Sequence, residues 1–86
     1  MLGYNITFAR SARKELQALP IDVAERLLKK IESLALNPRP SGCTKLRGAT
    51  GLWRIRSGDY RVIYKVDDSK RIVDVILIRH RREIYR

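Results

Sequence analysis

The stretch from Leu52 to Tyr64, LWRIRSGDYRVIY, constrains the rest of the chain most strongly. Two runs rich in aromatic and β-branched residues flank Ser57-Gly58-Asp59, the pattern of a β-hairpin closed by a tight turn. Side chains alternate along a strand, so Trp53 and Ile55 project to one face and Arg54 and Arg56 to the other. In the second run Tyr60, Val62, Tyr64 and Val66 make the apolar set, opposite Arg61, Ile63 and Lys65. If the two apolar sets share a core, Arg54, Arg56 and Arg61 share the opposite face. The hairpin then becomes a rigid sheet carrying three guanidinium groups.

The flanking sequence supplies what such a hairpin needs to stay folded. Tyr4 to Phe8 alternates and predicts a short strand with Tyr4, Ile6 and Phe8 on its apolar face. From Ala9 the period changes: Ala9, Ala12, Leu16 and Leu19 recur at helical spacing. Thr7 and Ser11 are both candidate caps for this helix, and the pattern does not choose between them. Pro20 punctuates, and Val23, Ala24, Leu27, Leu28, Ile31, Leu34 and Ala35 then form the strongest amphipathic stripe in the chain. Asp22 and Glu25 lie near its start and Lys29 and Lys30 later, as the helix dipole favours. Asn37 to Gly42 holds two prolines and a glycine and reads as a loop. Lys45 to Gly48 reads as a short extended piece. After the hairpin, Asp67 to Lys70 is a polar turn, and Arg71 to Arg81 is a long strand with apolar residues on both faces, as for a central position. Strict alternation there places Arg79 and Arg81 on one face and His80 on the other, barring a bulge. The order is βααβββ. It predicts one small α+β domain over residues 1–86, with a helical hairpin packed on one face of a mostly antiparallel sheet.

Charge narrows the function. Nineteen Lys and Arg against nine Asp and Glu leave a formal net charge of +10. The excess is uneven: residues 1–44 carry seven basic and four acidic side chains, residues 45–86 twelve and five. A small domain with clustered arginines calls for a polyanion, usually nucleic acid, because a guanidinium binds phosphate bidentately and stacks on bases. The single cysteine, Cys43, forms no internal disulfide, and a reduced, cytoplasmic setting fits. The N-terminus lacks the pattern of a secretory signal, and the run from Val75 to Ile78 is too short to span a bilayer. No metal-ligand spacing, Walker loop or dinucleotide fingerprint occurs, so neither metal nor cofactor is expected.

What remains is arginine, one histidine and a tyrosine: Arg54, Arg56, Arg61, Arg79, His80, Arg81 and Tyr85. That set suits cleavage of RNA by its own 2′-hydroxyl. The reaction needs a base for that hydroxyl, charge on a phosphorane-like transition state, and a proton for the leaving 5′-oxygen. Arginines supply the charge but are poor bases. A histidine ordinarily titrates near neutrality, so His80 is the simplest acid–base candidate. Tyr85 can move a proton if surrounding cations lower its pKa, or it can stack on a base. Composition and spacing alone fit a plain binding surface as well.

The ordered combination of strand, helical hairpin, proline loop, Lys45-Leu46-Arg47-Gly48, Gly58-Asp59-Tyr60-Arg61-Val62-Ile63-Tyr64 and the ending His80 to Arg86 resembles the RelE/ParE toxin superfamily, nearest its RelE branch. The resemblance covers about Tyr4 to Arg86. It implies a toxin of a type II toxin–antitoxin pair: a ribosome-dependent mRNA endonuclease that cuts the A-site codon, leaving a 2′,3′-cyclic phosphate and a 5′-hydroxyl, and so inhibits translation. By the same resemblance Arg54 and Arg56 match two strand lysines of RelE toxins. Arg61 matches the arginine of a Tyr-Arg pair, Arg81 an arginine near the end of the last strand, and Tyr85 a C-terminal tyrosine. His80 stands near a histidine that some relatives use. Lys45, Arg47 and Arg79 are expected to contact RNA. Arginine in place of both lysines keeps the charge but removes groups able to lose a proton. The hairpin is also about two residues shorter than in RelE. The implied partners are the ribosome, mRNA and an acidic antitoxin that folds over the basic face and the helical hairpin; the free toxin is expected to be monomeric. Two other readings share the scaffold: a ParE-like toxin that blocks DNA gyrase, and a non-catalytic RNA-binding relative.

Overall fold

The computed structural model describes residues 3–48 and 51–80. Strand β1 (Asn5–Phe8) leads into helices α1 (Arg10–Ala18) and α2 (Ile21–Glu32), and a 3₁₀ turn (Ser33–Ala35) extends the second. Strands β2 (Thr44–Lys45), β3 (Leu52–Ser57), β4 (Tyr60–Asp67) and β5 (Ile72–His80) follow. The five strands form one sheet in the order β1-β5-β4-β3-β2. Only β1–β5 is parallel; the other pairs are antiparallel. The βααβββ frame therefore holds, with β2 added as a two-residue edge strand. Such short edges offer little backbone for pairing with other chains.

The hairpin forms as the alternation requires. Trp53 lies opposite Tyr64 and Ile55 opposite Val62, while Arg56 lies opposite Arg61. Ser57 pairs with Tyr60, leaving a two-residue loop. Gly58 takes φ +60° at its first position, which glycine does without steric cost in a hairpin turn. The apolar set packs under the helices: Ile55, Val62, Tyr64, Val66, Val73, Val75 and Ile78 are buried with Ala12, Leu27, Ile31 and Leu34. Burying Leu27, Ile31 and Leu34 contributes about 1.5–3 kcal/mol each, which fixes α2 far more firmly than the exposed Asp22–Arg26 pair on its surface.

Two local expectations change. Neither Thr7 nor Ser11 caps α1; its N-cap is Ala9, with no side-chain bond. Thr7 Oγ1 instead donates to Asp74 Oδ1 at 2.8 Å, and Ser11 Oγ donates to the Ile76 carbonyl at 3.1 Å. The sheet competes successfully for both hydroxyls. The extended piece is Thr44–Lys45 rather than the four residues from Lys45, because Arg47-Gly48 turns.

The last strand carries a bulge. Tyr64 faces Val75, but Ile63 faces Leu77, so Ile76 is an extra residue. One inserted residue reverses the alternation beyond it. Val73 and Val75 point into the core, and beyond Ile76 the core positions become Ile78 and His80. Without it Arg79 would share the face of Val73 and Val75; with it Arg79 shares the face of Arg61.

A latch holds the proline loop to the sheet end. Arg39 donates two hydrogen bonds to Asp68, at 2.7 and 3.2 Å, and stacks over Trp53 with its guanidinium 5.4 Å from the ring centre. Tyr4 donates its hydroxyl to the same carboxylate at 2.6 Å. The Arg39 bonds, then the Tyr4 bond, hold the Asp68 carboxyl below its ordinary pKa. A carboxylate depressed on folding stabilises above its unfolded pKa and loses that contribution as pH falls through the folded one. Wild type should therefore melt above Asp68→Asn at pH 7, and the gap should close below about pH 4. A gap that stays constant down to pH 2 would show that the latch does not depend on carboxylate charge.

Candidate nucleic-acid interface

The sheet face turned away from the helices gathers the arginines. Arg56 faces Arg61 across β3–β4, and Arg61 faces Arg79 across β4–β5. Three guanidinium-bearing positions thus stand in one row across three strands, with Arg54 two residues along β3 from Arg56. Like charges directly opposed in a sheet are destabilising. Arg61, at the centre of the row, is only 3% exposed, a buried charged side chain on the face opposite the apolar core. Arg54 is half-buried and Arg56 exposed. A guanidinium can meet two phosphodiester oxygens at once, so arginines at neighbouring register positions suit such a ligand.

The other candidates distribute unevenly. Arg79 lies on the arginine face, but its Nη1 sits 3.7 Å from Glu15 Oε1 on α1 and donates to the Ile78 carbonyl at 3.0 Å. His80 turns to the helix face and meets Tyr60 edge-on, with ring centres 5.1 Å apart at 88°. Lys45 pairs with Trp53 at the sheet edge, and Arg47 is exposed in the turn beyond it. Both flank the row rather than joining it. Arg81 and Tyr85 lie outside the described residues.

Sequence reasoning missed Glu15. It stands one helical turn after Ser11, and only the fold, which ties Ser11 to the edge of β5, puts Glu15 along the same strand. Arg39 and Asp68 were also missed, because they are 29 residues apart and meet only in the folded chain.

A helical hairpin on one face of a small sheet, with an arginine row on the other, defines a basic α+β domain. Among the described residues no helix is long and apolar enough to cross a membrane. The family model described as the ParE toxin of type II toxin–antitoxin systems matches residues 6–85. The mRNA interferase toxin RelE of Escherichia coli is 38% identical, over 98% of this chain and 92% of that one. The archaeal RelE–RelB complex of Pyrococcus horikoshii superposes with a TM-score of 0.81 at 31% identity, covering 94% of this chain and 97% of its counterpart. The intact E. coli RelBE toxin–antitoxin complex gives 0.76 at 38% identity, covering 87% and 93%. The chain belongs to the RelE/ParE family of type II toxins.

Proposed function

We propose that this toxin is a ribosome-dependent endoribonuclease that cuts mRNA in the A site by 2′-hydroxyl attack. The observation that carries the reading is the burial of Arg61 between two further arginines in register. In the reaction the 2′-oxygen bonds to phosphorus and gives up its proton, and the bond to the 5′-oxygen breaks as that oxygen gains one. Charge accumulates on the non-bridging oxygens between these events. Arg61, with Arg81, stabilises that charge, and a fixed guanidinium does so without reorganising. Arg54 and Arg56 hold the backbone, while Lys45, Arg47 and Arg79 extend the contact to flanking RNA. Tyr85 orients or stacks the nucleotide and moves a proton; the position of His80 against Tyr60, on the helix face, favours Tyr85 over it for that task.

Similarity to a chain named an mRNA interferase supports cleavage. Relatives crystallised with RelB support an acidic antitoxin partner that neutralises the face. A gyrase-directed activity is the second reading, favoured by the ParE description of the matching family model. Induction without antitoxin, followed by mapping of mRNA 5′ ends, separates the two. New 5′-hydroxyl ends in phase with codons are expected. Filamentation and DNA damage with intact messages would overturn the assignment in favour of gyrase.

A further inference from the structure

We infer that Glu15 is a positioning residue for Arg79, holding it at the rim of the arginine row in competition with RNA phosphate. The inference rests on the reading of that face as the RNA site.

Strand β1 ends at Phe8, opposite Val75, while β5 runs on to His80. Helix α1 takes over the edge that β1 leaves. The Ala9 amide donates to the Val75 carbonyl at 2.8 Å, and Ser11 Oγ donates to the Ile76 carbonyl at 3.1 Å. The bulge at Ile76 is thus held by the first turn of α1, and the bulge is what turns Arg79 to the Arg61 face. One turn beyond Ser11, Glu15 brings its carboxylate over the same edge, 3.7 Å from the Arg79 guanidinium. Glu15 is the single acid in a helix that also carries Arg10, Arg13 and Lys14. The helix therefore both shapes the strand that presents Arg79 and supplies the charge that restrains it.

The pair is built to exchange. Its separation is long for a charge-assisted hydrogen bond, and its side chains are 35% and 32% exposed, so water and salt reach it. Glu15 thus holds the Arg79 guanidinium toward α1 in the free protein. When phosphate draws Arg79 onto the face, the Glu15 carboxylate is left behind and recruits a cation. The exchange then releases less net salt than a free arginine would.

The test is fluorescence anisotropy with a labelled twelve-nucleotide oligouridylate across a KCl series, with melting curves as a check on folding. Glu15→Gln should tighten binding roughly 1.5- to 5-fold, the range an exposed ion pair commands. It should also steepen the salt dependence by up to about 0.7, one single-strand phosphate contact. Glu15→Asp, which keeps the charge, should stay near wild type. In an Arg79→Ala background Glu15→Gln should change nothing, whereas a merely structural Glu15 would alter binding there too. Arg79→Ala alone, which leaves α1 untouched, should flatten the slope. If wild type binds but Glu15→Gln leaves affinity and slope unchanged, or acts equally without Arg79, the inference falls and the RNA reading stands. If wild type shows no salt-dependent RNA binding at all, the RNA reading of the face falls, and this inference with it.

Discussion

Arg61→Ala is expected to lower ribosome-dependent mRNA cleavage by about 10²–10³-fold, the loss typical when a preorganised transition-state donor is removed. The fold should survive. Arg61 lies on the sheet face away from the apolar core, so its truncation leaves that core intact. Melting should therefore shift by less than about 8 °C, equivalent to about 1 kcal/mol in a domain this size. Arg61→Lys sharpens the test. A lysine keeps the charge but replaces the planar fork with a strongly hydrated point charge, so it should recover binding more than turnover. Cleavage mapped by 5′ ends, beside circular dichroism of the same preparation, separates loss of chemistry from loss of structure. Full activity of a folded Arg61→Ala protein would remove Arg61 from the site.

The centre of that site was legible in the chain, and its rim was not. On either side of the Ser57-Gly58-Asp59 turn, apolar and basic residues alternate closely enough, Ile63 apart, to leave one register that packs Trp53, Ile55, Val62 and Tyr64 together. The arginine face follows from it, since a one-residue slip would bury Arg54 and Arg56 instead. Helix α2 was equally plain, because its apolar stripe runs unbroken from Val23 to Ala35. The last strand hid its decisive feature. With Ile72, Val73, Val75, Ile76, Leu77 and Ile78 apolar on both faces, nothing in the pattern marks Ile76 as the extra residue. The bulge depends on a carbonyl held by Ser11, 65 residues away. The same remoteness explains the misread cap of α1. Local rules make Thr7 and Ser11 capping residues, but Asp74 and the Ile76 carbonyl are better placed in three dimensions. His80 went to the helix face for the reason Arg79 left it.

Tyr64→Ala should cost about 3–5 kcal/mol and lower the melting temperature by roughly 15–30 °C, the largest stability loss expected of a single truncation among the described residues. Tyr64 is 0% exposed, the largest of the fully buried side chains, and sits on β4 at the middle of the sheet. Its cross-strand partners are Trp53 and Val75, so the cavity would open between both neighbouring strands. Its hydroxyl donates to the Pro38 carbonyl at 2.7 Å, tying the proline loop to the core. Burial, with Cys43 adding to it, pushes the phenol well above its ordinary pKa, so it keeps its proton and remains a donor throughout the neutral range. Tyr64→Phe isolates that bond. It preserves the packing and leaves the carbonyl without the hydroxyl, at a cost of about 0.5–1.5 kcal/mol. Since small domains hold only about 5–15 kcal/mol in all, the alanine variant should be partly unfolded at 37 °C and the phenylalanine variant should not. Urea melts of both variants check the order. Equal losses would place the stabilisation in the Pro38 bond rather than in packing. A loss below about 2 kcal/mol for Tyr64→Ala would mean that the helices close over the gap and that the sheet is held elsewhere. The expected contrast with Arg61 is sharp. The two residues lie three apart on one strand and face opposite ways, so one substitution should silence a folded protein while the other should unfold it.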